Sequence, residues 1–375
     1  MKVALFTDTL CDTNGVSRFL QDLSCQALRQ DKPLHIYSPT IKHCPVQNER
    51  LHRFDPLARM PMPLYPQLDL ALPAPKTIAK ILDSYRPDIV HISTPGPTGW
   101  IVKSLAKKRR LPIVGTYHTD FPQYVFDKTG SHRIKNITER IMARFYKDFS
   151  AVLTRSSRYL PVLQSQLGLK ELPVRVLQPG TDPLRFHPRH RFTMDWEAFS
   201  VPSKGLKVLY VGRLSEEKRF ALLLDIWRAF QTKKIDAKLI LVGEGNTKAI
   251  AAAKSLPNVI YLGKRIGKEL SFLYAASDLF VTPSVTETLG QTILEAMASA
   301  LPVVVASEGG HLDFVEDRFG AIVDSDDAKV WAQAIERLCR NDVSRRSCGE
   351  LAYQKAHRMT IEKSFLDFWR FHEEI

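Results

Sequence analysis

The chain lacks any apolar run of the roughly 18 residues that a membrane-spanning helix needs, so no transmembrane segment is expected. Its first residues turn polar by Thr7 and Asp8, which argues against a secretory signal peptide. The five cysteines include no Cys-x-x-Cys pair, and their odd number predicts free thiols in a reducing cytoplasm. They are Cys11, Cys25, Cys44, Cys339 and Cys348. No tandem repeat or low-complexity stretch occurs, which excludes solenoid and fibrous folds.

Positive charge is what the chain has in excess. Its 375 residues carry a formal net charge of +13, although 44% hydrophobic and 25% charged residues are ordinary for a globular protein. Cationic surfaces attract nucleic acid, anionic membranes or anionic substrates, and net charge alone does not choose among them. The length predicts two domains.

The basic residues concentrate in two segments. Residues 103–110 carry five cations at the end of a predicted helix, and residues 128–147 carry several more. Apolar residues recur at helical spacing in the second segment: Ile134, Ile137, Ile141 and Phe145. This stripe either packs on its own domain, as amphipathic helices usually do, or faces an anionic lipid surface. The residues alone leave both interpretations open.

Short apolar runs, typical of buried parallel strands, alternate with helical patterns along most of the chain. They are residues 3–6, 34–37, 89–92, 113–116, 151–154 and 174–177, then 208–211, 239–242, 259–262, 279–281, 303–306 and 321–323. The pattern breaks over residues 182–204, where prolines and basic residues interrupt it. The alternation predicts an α/β protein with two doubly wound, Rossmann-like domains facing across a cleft. We place the domains at residues 1–182 and 204–355, with a linker at 183–203.

Two glutamates eight residues apart, Glu287 and Glu295, lie in the most informative segment of the chain. A strand ends near residue 281 and a helix is predicted to begin at Gln291, and such a helix N-terminus favours a phosphate. Glu287 precedes the phosphate position, and Glu295 lies about 6–9 Å further along the helix at about 1.5 Å per residue. The two carboxylates would therefore hold hydroxyl groups on opposite sides of a diphosphate, as in a nucleotide sugar.

Four further motifs accompany this segment in a fixed order along the chain. They are Asn14-Gly15-Val16, Gly115-Thr116-Tyr117-His118-Thr119-Asp120, Val211-Gly212-Arg213-Leu214 with Lys218, and Leu239 to Gly245 with Gly243 near its end. Together they resemble the retaining nucleotide-sugar glycosyltransferases of family four, which have the GT-B fold, over residues 3–320. Residues 63–73 and 117–120 are most similar to members that glycosylate membrane lipids: diacylglycerol glucosyltransferases, sulfolipid synthases and GDP-mannose-dependent lipid mannosyltransferases.

The resemblance implies roles for four catalytic residues. His118 would contact the donor hexose at the reacting centre, and Glu287 would hold the hydroxyl groups of that hexose. Arg213 and Lys218 would bind the diphosphate and stabilise the charge that develops on the leaving group.

The resemblance also implies a set of residues that bind the nucleotide. The backbones of Gly15 and Gly243 would allow close approach of the ligand, and Glu295 would bind the ribose. The full set is Gly15, Gly243, Arg265, Ile266, Leu289, Gly290, Gln291 and Glu295. Within it, Arg265 and Ile266 would lie near the base, and the amides of residues 289–291 would bind phosphate.

Other polar residues receive plainer interpretations. Asn14 is a candidate helix cap, and Asp120 is equally a cap or a functional residue. Asp324-Ser325-Asp326 has the form of a metal-binding motif, but it lies in an acidic stretch typical of a solvated turn. Relatives of this fold work without a bound metal, so we expect no metal and no cofactor.

The sequence therefore predicts transfer of a hexose from a UDP- or GDP-sugar to an acceptor hydroxyl, with retention of the α configuration. The resemblance favours a membrane lipid as acceptor and a cytoplasmic enzyme bound to the inner face of the membrane. A soluble sugar, a lipopolysaccharide or a glycan remains an alternative acceptor. A nucleic-acid-binding protein on this scaffold would need interleaved aromatic and basic residues, which are not found, so no nucleic acid is expected.

Three further expectations come from the family. A final helix within residues 356–375 would cross back to the first domain. Ala300 replaces the glycine that many relatives carry, and residues 309–313 depart from their usual pattern, which leaves local loop geometry open. The oligomeric state is not predicted.

Overall fold

Two sheets of parallel strands organise the chain. The computed structural model describes residues 1–12, 14–62, 65–193 and 195–375, without the side chains of residues 65–68. One unit comprises Met1–Gln178 with Ile361–Ile375, and the other comprises Pro179–Thr360. Among the described residues, no helix is long and apolar enough to cross a membrane.

The first unit is built on a seven-stranded parallel sheet in the order β3-β2-β1-β6-β7-β8-β9. Its strands are β1 (Val3–Phe6), β2 (Leu34–Ser38), β3 (Leu51–Arg53), β4 (Ala58–Met62), β5 (Tyr65–Leu72), β6 (Ile89–Ile92), β7 (Ile113–Tyr117), β8 (Ala151–Thr154) and β9 (Val174–Val176). Its helices are α1 (Gly15–Arg29), α2 (Pro75–Tyr85), α3 (Pro97–Lys108), α4 (Phe121–Thr129), α5 (His132–Tyr146) and the short α6 (Tyr159–Pro161). The six strands predicted here are all present, because strands covered on both faces are continuous apolar runs.

Strands β4 and β5 form a separate antiparallel hairpin. The sequence analysis predicted no strand over residues 57–75, so this hairpin was missed. Pro61 and Pro66 interrupt the pattern of a strand, but a two-stranded hairpin consists of edge strands, which tolerate a missing N–H. Pro63 and Leu64 lie outside the described residues.

The second unit is built on a six-stranded parallel sheet in the order β12-β11-β10-β13-β14-β15. Its strands are β10 (Leu206–Val211), β11 (Ala237–Val242), β12 (Val259–Gly263), β13 (Leu279–Thr282), β14 (Val303–Ala306) and β15 (Gly320–Val323). Its helices are α7 (Phe220–Gln231), α8 (Thr247–Lys254), α9 (Gly267–Ala276), α10 (Gln291–Ala298), α11 (Ala328–Arg340) and α12 (Asp342–His357). Both sheets are Rossmann-like, as the alternation predicted.

Residues 183–203 belong to the second unit and are not a free linker. Phe186 and Val201 are each 1% exposed and lie in the hydrophobic core around β13 and α10. Proline and histidine interrupt the periodicity there, but the irregular chain still buries these two side chains. The units therefore divide near residue 178, and not at 182 as expected.

The last helix, α13 (Ile361–Glu373), belongs to the first unit and packs on α1. Its His372 donates Nδ1–H to the Phe368 carbonyl (2.7 Å), so Nε2 of the neutral ring accepts from His91 Nδ1–H (2.9 Å). His91 in turn accepts from the Thr116 hydroxyl (2.9 Å). Burial lowers the pKa of both rings, that of His372 to about 4, which keeps this chain of hydrogen bonds uncharged.

Cys11 and Cys44 form a disulfide, so the expectation of five free thiols was wrong for these two. They follow the neighbouring parallel strands β1 and β2, and their Cα atoms lie 4.6 Å apart. Nothing in a separation of 33 residues signals this pairing, because sheet order brings the two loops together. Cys25, Cys339 and Cys348 are free. The cysteines therefore give no support to a reducing compartment.

Helix α10 ends in a turn that places a non-glycine residue in the left-handed region. Leu301 N–H donates to the Ala296 carbonyl, and Ala300 N–H donates to that of Met297, each at 3.0 Å. This is a Schellman arrangement, and Ala300 has φ of 60° at the position where glycine is usual. The missing glycine therefore leaves the turn intact and adds strain to it.

We expect Ala300→Gly to raise the free energy of unfolding by about 1 kcal/mol, because glycine has no Cβ penalty at positive φ. Chemical denaturation measures the change. The control is Ala251→Gly in the interior of α8, where glycine should cost about 1 kcal/mol. A loss of stability in Ala300→Gly would contradict the strain.

Candidate active site

The predicted donor-binding residues of the second unit follow the carboxyl ends of adjacent strands. Gly212 and Arg213 follow β10, Gly243 follows β11, and the loop that contains Glu287 follows β13. These strands are neighbours in the sheet, so their loops share the edge where ligands of Rossmann-like sheets bind. Helix α10 begins at the same edge.

Glu287 and Lys218 form an ion pair, with Lys218 Nζ 2.7 Å from Glu287 Oε1. The side chains are only 15% and 18% exposed. Burial raises the pKa of Glu287, but the charge of Lys218 and its hydrogen bond outweigh burial and hold that pKa below its usual range. Glu287 is therefore an ionised carboxylate that can accept hydrogen bonds from hydroxyl groups.

Arg213 also lies against a carboxylate, that of Glu217 one turn along the chain. The structure thus pairs both predicted diphosphate cations with glutamates of their own unit. A phosphate ligand would exchange these carboxylates for its own oxygens.

His311 is a residue of this site that the sequence interpretation missed. It is fully buried in a short 3-10 helix (Gly310–Asp313), and Nε2–H donates to the Ala306 carbonyl (2.9 Å). The preceding Gly310 N–H donates to the Glu287 carbonyl (2.6 Å), and His311 contributes to the low pKa of that carboxyl. A lone histidine in a loop that departs from the family pattern carries no sequence signal for this position.

The glycines of the site separate into two kinds. A Cβ on Gly243 (φ 147°) would lie 1.9 Å from the Gly212 carbonyl oxygen, and one on Gly290 (φ 75°) would lie 2.7 Å from His311 Cβ. These two glycines are required by packing within the protein. Gly15 has nothing within 4 Å of such a Cβ, so packing does not explain it.

The N-terminus of α10 carries the other predicted ligand contacts. Gly290 precedes Gln291, whose side-chain amide donates to the Gly180 carbonyl (3.3 Å). Glu295 lies one turn further along the helix and is 1% exposed. Leu289, Gly290 and Gln291 thus surround the helix N-terminus, where free N–H groups and the dipole favour an anion.

Arg265 and Ile266 lie between β12 and α9. Arg265 donates Nε–H to the Leu262 carbonyl (3.0 Å) and pairs with Glu269 (3.3 Å). Ile266 is 65% exposed, which leaves an apolar side chain accessible to a flat ring.

The acidic triplet near residue 325 is an irregular segment in which Asp324 and Asp326 are exposed. Asp324 accepts a hydrogen bond from the Ser307 hydroxyl (2.6 Å), and Asp326 pairs with Arg219. Among the described residues, no group of three His, Cys, Asp or Glu side chains is placed to hold a metal ion. The expectation of no bound metal stays a prediction.

His118 of the first unit follows β7 directly, and its Nε2 lies 2.9 Å from the Ser93 hydroxyl. Burial, with a contribution from nearby Arg155, lowers the pKa of His118 to about 3. The ring is therefore neutral at physiological pH and can donate or accept a hydrogen bond, but it does not supply a positive charge.

Two neighbouring polar residues have structural roles. The Asn14 side chain accepts from Ser17 N–H (2.8 Å) and caps α1. Asp120 accepts from Gln123 N–H (3.1 Å) and caps α4. The capping interpretation is confirmed for both.

The first unit also contains a small cavity with several charged residues in its lining. Lys42 bridges two carboxylates there, Asp12 at 2.5 Å and Asp69 at 3.1 Å, and Asp8, Thr40 and Arg59 also line the cavity. Alternating charges of this kind suit hydroxyl groups, which both donate and accept hydrogen bonds.

We expect the His118 ring to stay neutral from pH 8 to pH 5, because burial holds its pKa near 3. An NMR titration of labelled histidines, with His118→Asn to assign the resonance, measures this directly. The denatured protein is the control, since an exposed histidine titrates near about 6.5. A midpoint between pH 5 and 8 in the folded protein would contradict the expectation.

Two Rossmann-like α/β units in one chain are the architecture of the GT-B glycosyltransferases. Residues 13–185 match the family described as Glycosyltransferase Family 4, and residues 195–355 match the family described as Glycosyl transferases group 1. The chain belongs to glycosyltransferase family 4. It is a glycosyltransferase that takes its sugar from a nucleotide sugar.

Three relatives illustrate the range of the family. Sulfoquinovosyl transferase SQD2 of Arabidopsis thaliana is 30% identical over 80% of this chain, and the chain spans 59% of its length. A GDP-mannose-dependent alpha-mannosyltransferase of Mycobacterium tuberculosis is 27% identical over 84% of this chain and 81% of the relative. An alpha-monoglucosyldiacylglycerol synthase of Streptococcus pneumoniae is 23% identical over 94% of this chain and 82% of the relative.

Solved structures agree on the fold. The Anabaena protein HepE in complex with UDP superposes with a TM-score of 0.77, covering all of both chains at 19% identity. At that identity the likeness shows the GT-B fold alone.

Proposed function

We propose that this enzyme moves a hexose from a UDP- or GDP-sugar to an acceptor hydroxyl with retention of the α configuration. The observation that carries the proposal is the Glu287–Lys218 pair beside the N-terminus of the helix that bears Glu295. One carboxylate would hold the hexose, the other the ribose, and the helix amides the diphosphate between them.

The state of Glu287 supports a binding role and not a nucleophilic one. Its pKa lies below the usual range and its Oε1 already accepts a hydrogen bond from Lys218, which reduces its basicity. We therefore infer front-face displacement, in which the departing phosphate helps to take the proton of the acceptor hydroxyl. Retention then needs no covalent intermediate.

The cations would change partners when the donor binds. Lys218 and Arg213 each have a carboxylate nearby, and a diphosphate would offer both cations charge-assisted hydrogen bonds of the same kind. Their movement would stabilise the charge on the leaving phosphate, so that no metal is needed. His118, neutral at working pH, would donate a hydrogen bond to the hexose.

Neither backbone conformation nor packing requires a glycine at position 15. Its φ is not in the left-handed region, and open space surrounds the position of a Cβ. We infer that the glycine leaves room for the ligand, and not for a neighbouring side chain.

We expect Glu295→Ala to weaken binding of the nucleoside diphosphate by about 10- to 100-fold, the value of a buried charge-assisted hydrogen bond. Glu287→Ala should instead lower turnover and leave nucleotide affinity nearly unchanged. Calorimetry with UDP and GDP, and nucleotide release from a panel of UDP- and GDP-sugars, measure the two effects.

The control is Glu171→Ala, which changes an exposed glutamate of the first unit. Each variant is checked for folding by thermal unfolding, and the release assay is repeated with excess chelator, where equal rates are expected. Unchanged nucleotide affinity in Glu295→Ala would contradict the assignment of Glu295 to the ribose.

We further propose a membrane glycerolipid as the acceptor, because α5 presents an apolar and basic face. Ile134, Ile137 and Ile141 are 43%, 53% and 49% exposed, although their spacing would equally suit a buried stripe. The cations Arg133, Arg140 and Arg144 are exposed on the same side of the helix. Of the predicted stripe only Phe145 is buried, so the isoleucines are free to meet a lipid surface. The Streptococcus pneumoniae relative is named for a diacylglycerol product.

The basic run at residues 103–110 contributes less than its sequence suggests. Lys103 is 6% exposed and donates to the carbonyls of Arg144 and Phe145. Lys107 pairs with Asp148 (3.0 Å), and Arg109 pairs with Asp83 (2.8 Å). The side chains of Tyr65 and Leu68 in the hairpin lie outside the described residues.

We expect the triple change of Arg133, Arg140 and Arg144 to Ser to weaken binding to anionic vesicles by about 100-fold, at about 1 kcal/mol per cation. Changing Ile134, Ile137 and Ile141 to Ser should remove the part of the binding that survives high salt. Sedimentation with neutral and anionic vesicles across a salt series measures both.

The matched control changes Lys107, Lys108, Arg109 and Arg110 to Ser, and it should have a smaller effect because two of these cations are paired. Negligible binding of the unmodified enzyme to both vesicle types would remove the lipid acceptor and leave a soluble sugar or glycan.

A further inference from the structure

Arg155 is a buried cation without an anion. It follows β8 directly and is 5% exposed, and its guanidinium lies over the Phe19 ring with Cζ 4.0 Å from the centroid. Nη1 is buried and has no hydrogen-bond partner among the described residues. Within that part of the chain, Arg155 also forms no ion pair.

Among the described residues, the other buried Lys and Arg side chains have hydrogen-bond acceptors. Lys103 has two backbone carbonyls and Asp148, and Lys207 has three backbone carbonyls. Arg345 donates to the carbonyls of Leu338 and Cys339 and pairs with Asp342. These are cations that hold the fold together, and Arg155 does not share their surroundings.

The absence of an anion beside the buried Arg155 guanidinium has an energetic cost. Burial alone lowers the pKa of Arg155 to about 9, and no carboxylate opposes that shift. A buried guanidinium with an open donor is costly, and its cost is relieved by an anion with matching geometry. Such a group stabilises a fold poorly and binds an oxyanion well.

The position of Arg155 is that of a ligand contact. Ser93, His118 and Arg155 follow β6, β7 and β8, which are neighbours in the first sheet. Phe19 of α1 joins them, since its ring lies 5.7 Å from that of His118 and also against Arg155. Asp8, which follows β1, takes its hydrogen bonds from Thr94 and Thr98 instead. The sheet edge is thus positive at Arg155 without internal compensation.

We propose that Arg155 binds an oxyanion (a carboxylate, sulfonate or phosphate) carried by a substrate of the transfer reaction. The inference rests on the proposed function, because it places the anion beside His118, where the sugar is expected. The planar guanidinium offers two parallel N–H groups, which match the oxygens of such an anion. The anion belongs either to the transferred sugar or to the acceptor.

The first test needs no catalytic activity. Thermal unfolding is measured for the wild type, Arg155→Met and Arg158→Met in sodium chloride, and then with inorganic sulfate or phosphate at matched ionic strength. Arg158 is an exposed arginine three residues away and serves as the control. We expect Tm of the wild type and of Arg158→Met to rise with sulfate, and Tm of Arg155→Met to rise less.

In chloride alone, Arg155→Met should unfold at or above the temperature of the wild type, because methionine fills similar space without a buried charge. A marked loss of Tm there would show a structural cation and overturn the proposal. An equal response of Arg155→Met to sulfate would overturn it too.

The second test identifies the source of the anion. Arg155→Met and Arg155→Lys are assayed with neutral donors (UDP-glucose, GDP-mannose) and an acidic donor (UDP-glucuronate), each with diacylglycerol or phosphatidylglycerol vesicles. We expect kcat/KM to fall about 10- to 100-fold for the substrate that carries the oxyanion, with partial retention in Arg155→Lys. A loss confined to the acidic donor assigns the anion to the sugar, and one confined to phosphatidylglycerol assigns it to the acceptor.

Equal losses on all substrates would overturn the proposal. Calorimetry with UDP and GDP should be unchanged in Arg155→Met, since the side chain assigned to the ribose, Glu295, and the amides assigned to the diphosphate belong to the second unit. If the wild type transfers no sugar at all, the proposed function fails, and the sulfate titration still decides the role of Arg155.

Discussion

Parallel pairing of the strands is the constraint on which the rest of the structure depends. Because every strand of each main sheet runs the same way, the segments that follow the strands are collected at one edge. Residues as distant in sequence as Lys218 and Glu287 become hydrogen-bond partners there. Packing on both faces of each sheet stabilises the strands. The loops at this edge therefore need not contribute apolar side chains to the core and can carry polar groups.

The two units balance charge at this edge differently. In the second unit each of the two cations, Arg213 and Lys218, meets a carboxylate, so the site is close to neutral before a ligand arrives. An anionic donor that binds there would displace internal partners, and the carboxylate that Lys218 releases would become available to sugar hydroxyls. In the first unit Arg155 has no such partner, and its charge is compensated only when something binds. The second unit would therefore bind an anion by exchanging an internal carboxylate for it. The first unit would bind one by adding the partner that Arg155 lacks.

Features that a repeated pattern of residues encodes were predicted from the sequence. Features that depend on single residues were missed. All strands of the two main sheets except β3 were predicted, because a buried parallel strand is a continuous apolar run, as residues 303–306 show. The hairpin of β4 and β5 was missed because its prolines are tolerated only in edge strands. The Cys11–Cys44 disulfide was missed because sheet order, and not spacing, brings the two together.

Within the candidate site, the residues of a spaced motif were likewise predicted, and isolated residues were missed. The segment from Glu287 to Glu295 is a motif with spacing, and the structure places its two ends on a loop and a helix at one edge. His311 and Arg155 are single residues, and only burial and hydrogen-bond partners distinguish them from ordinary surface side chains. The sequence analysis also treated all five cations of residues 103–110 alike, whereas the Lys103 side chain is buried. Net charge is therefore a poor guide to where a protein is positive.

The glycines show how geometry decides between packing and function. The sequence analysis predicted a ligand contact at Gly243, but the Gly212 carbonyl oxygen already occupies the space beside it. A larger side chain there would disturb the sheet edge whether or not a nucleotide binds. Gly15 has no neighbour that requires it, and its backbone conformation suits any residue. Since the fold does not need that glycine, the space in front of it is the stronger argument for a bound substrate, and it lies in the same unit as His118 and Arg155.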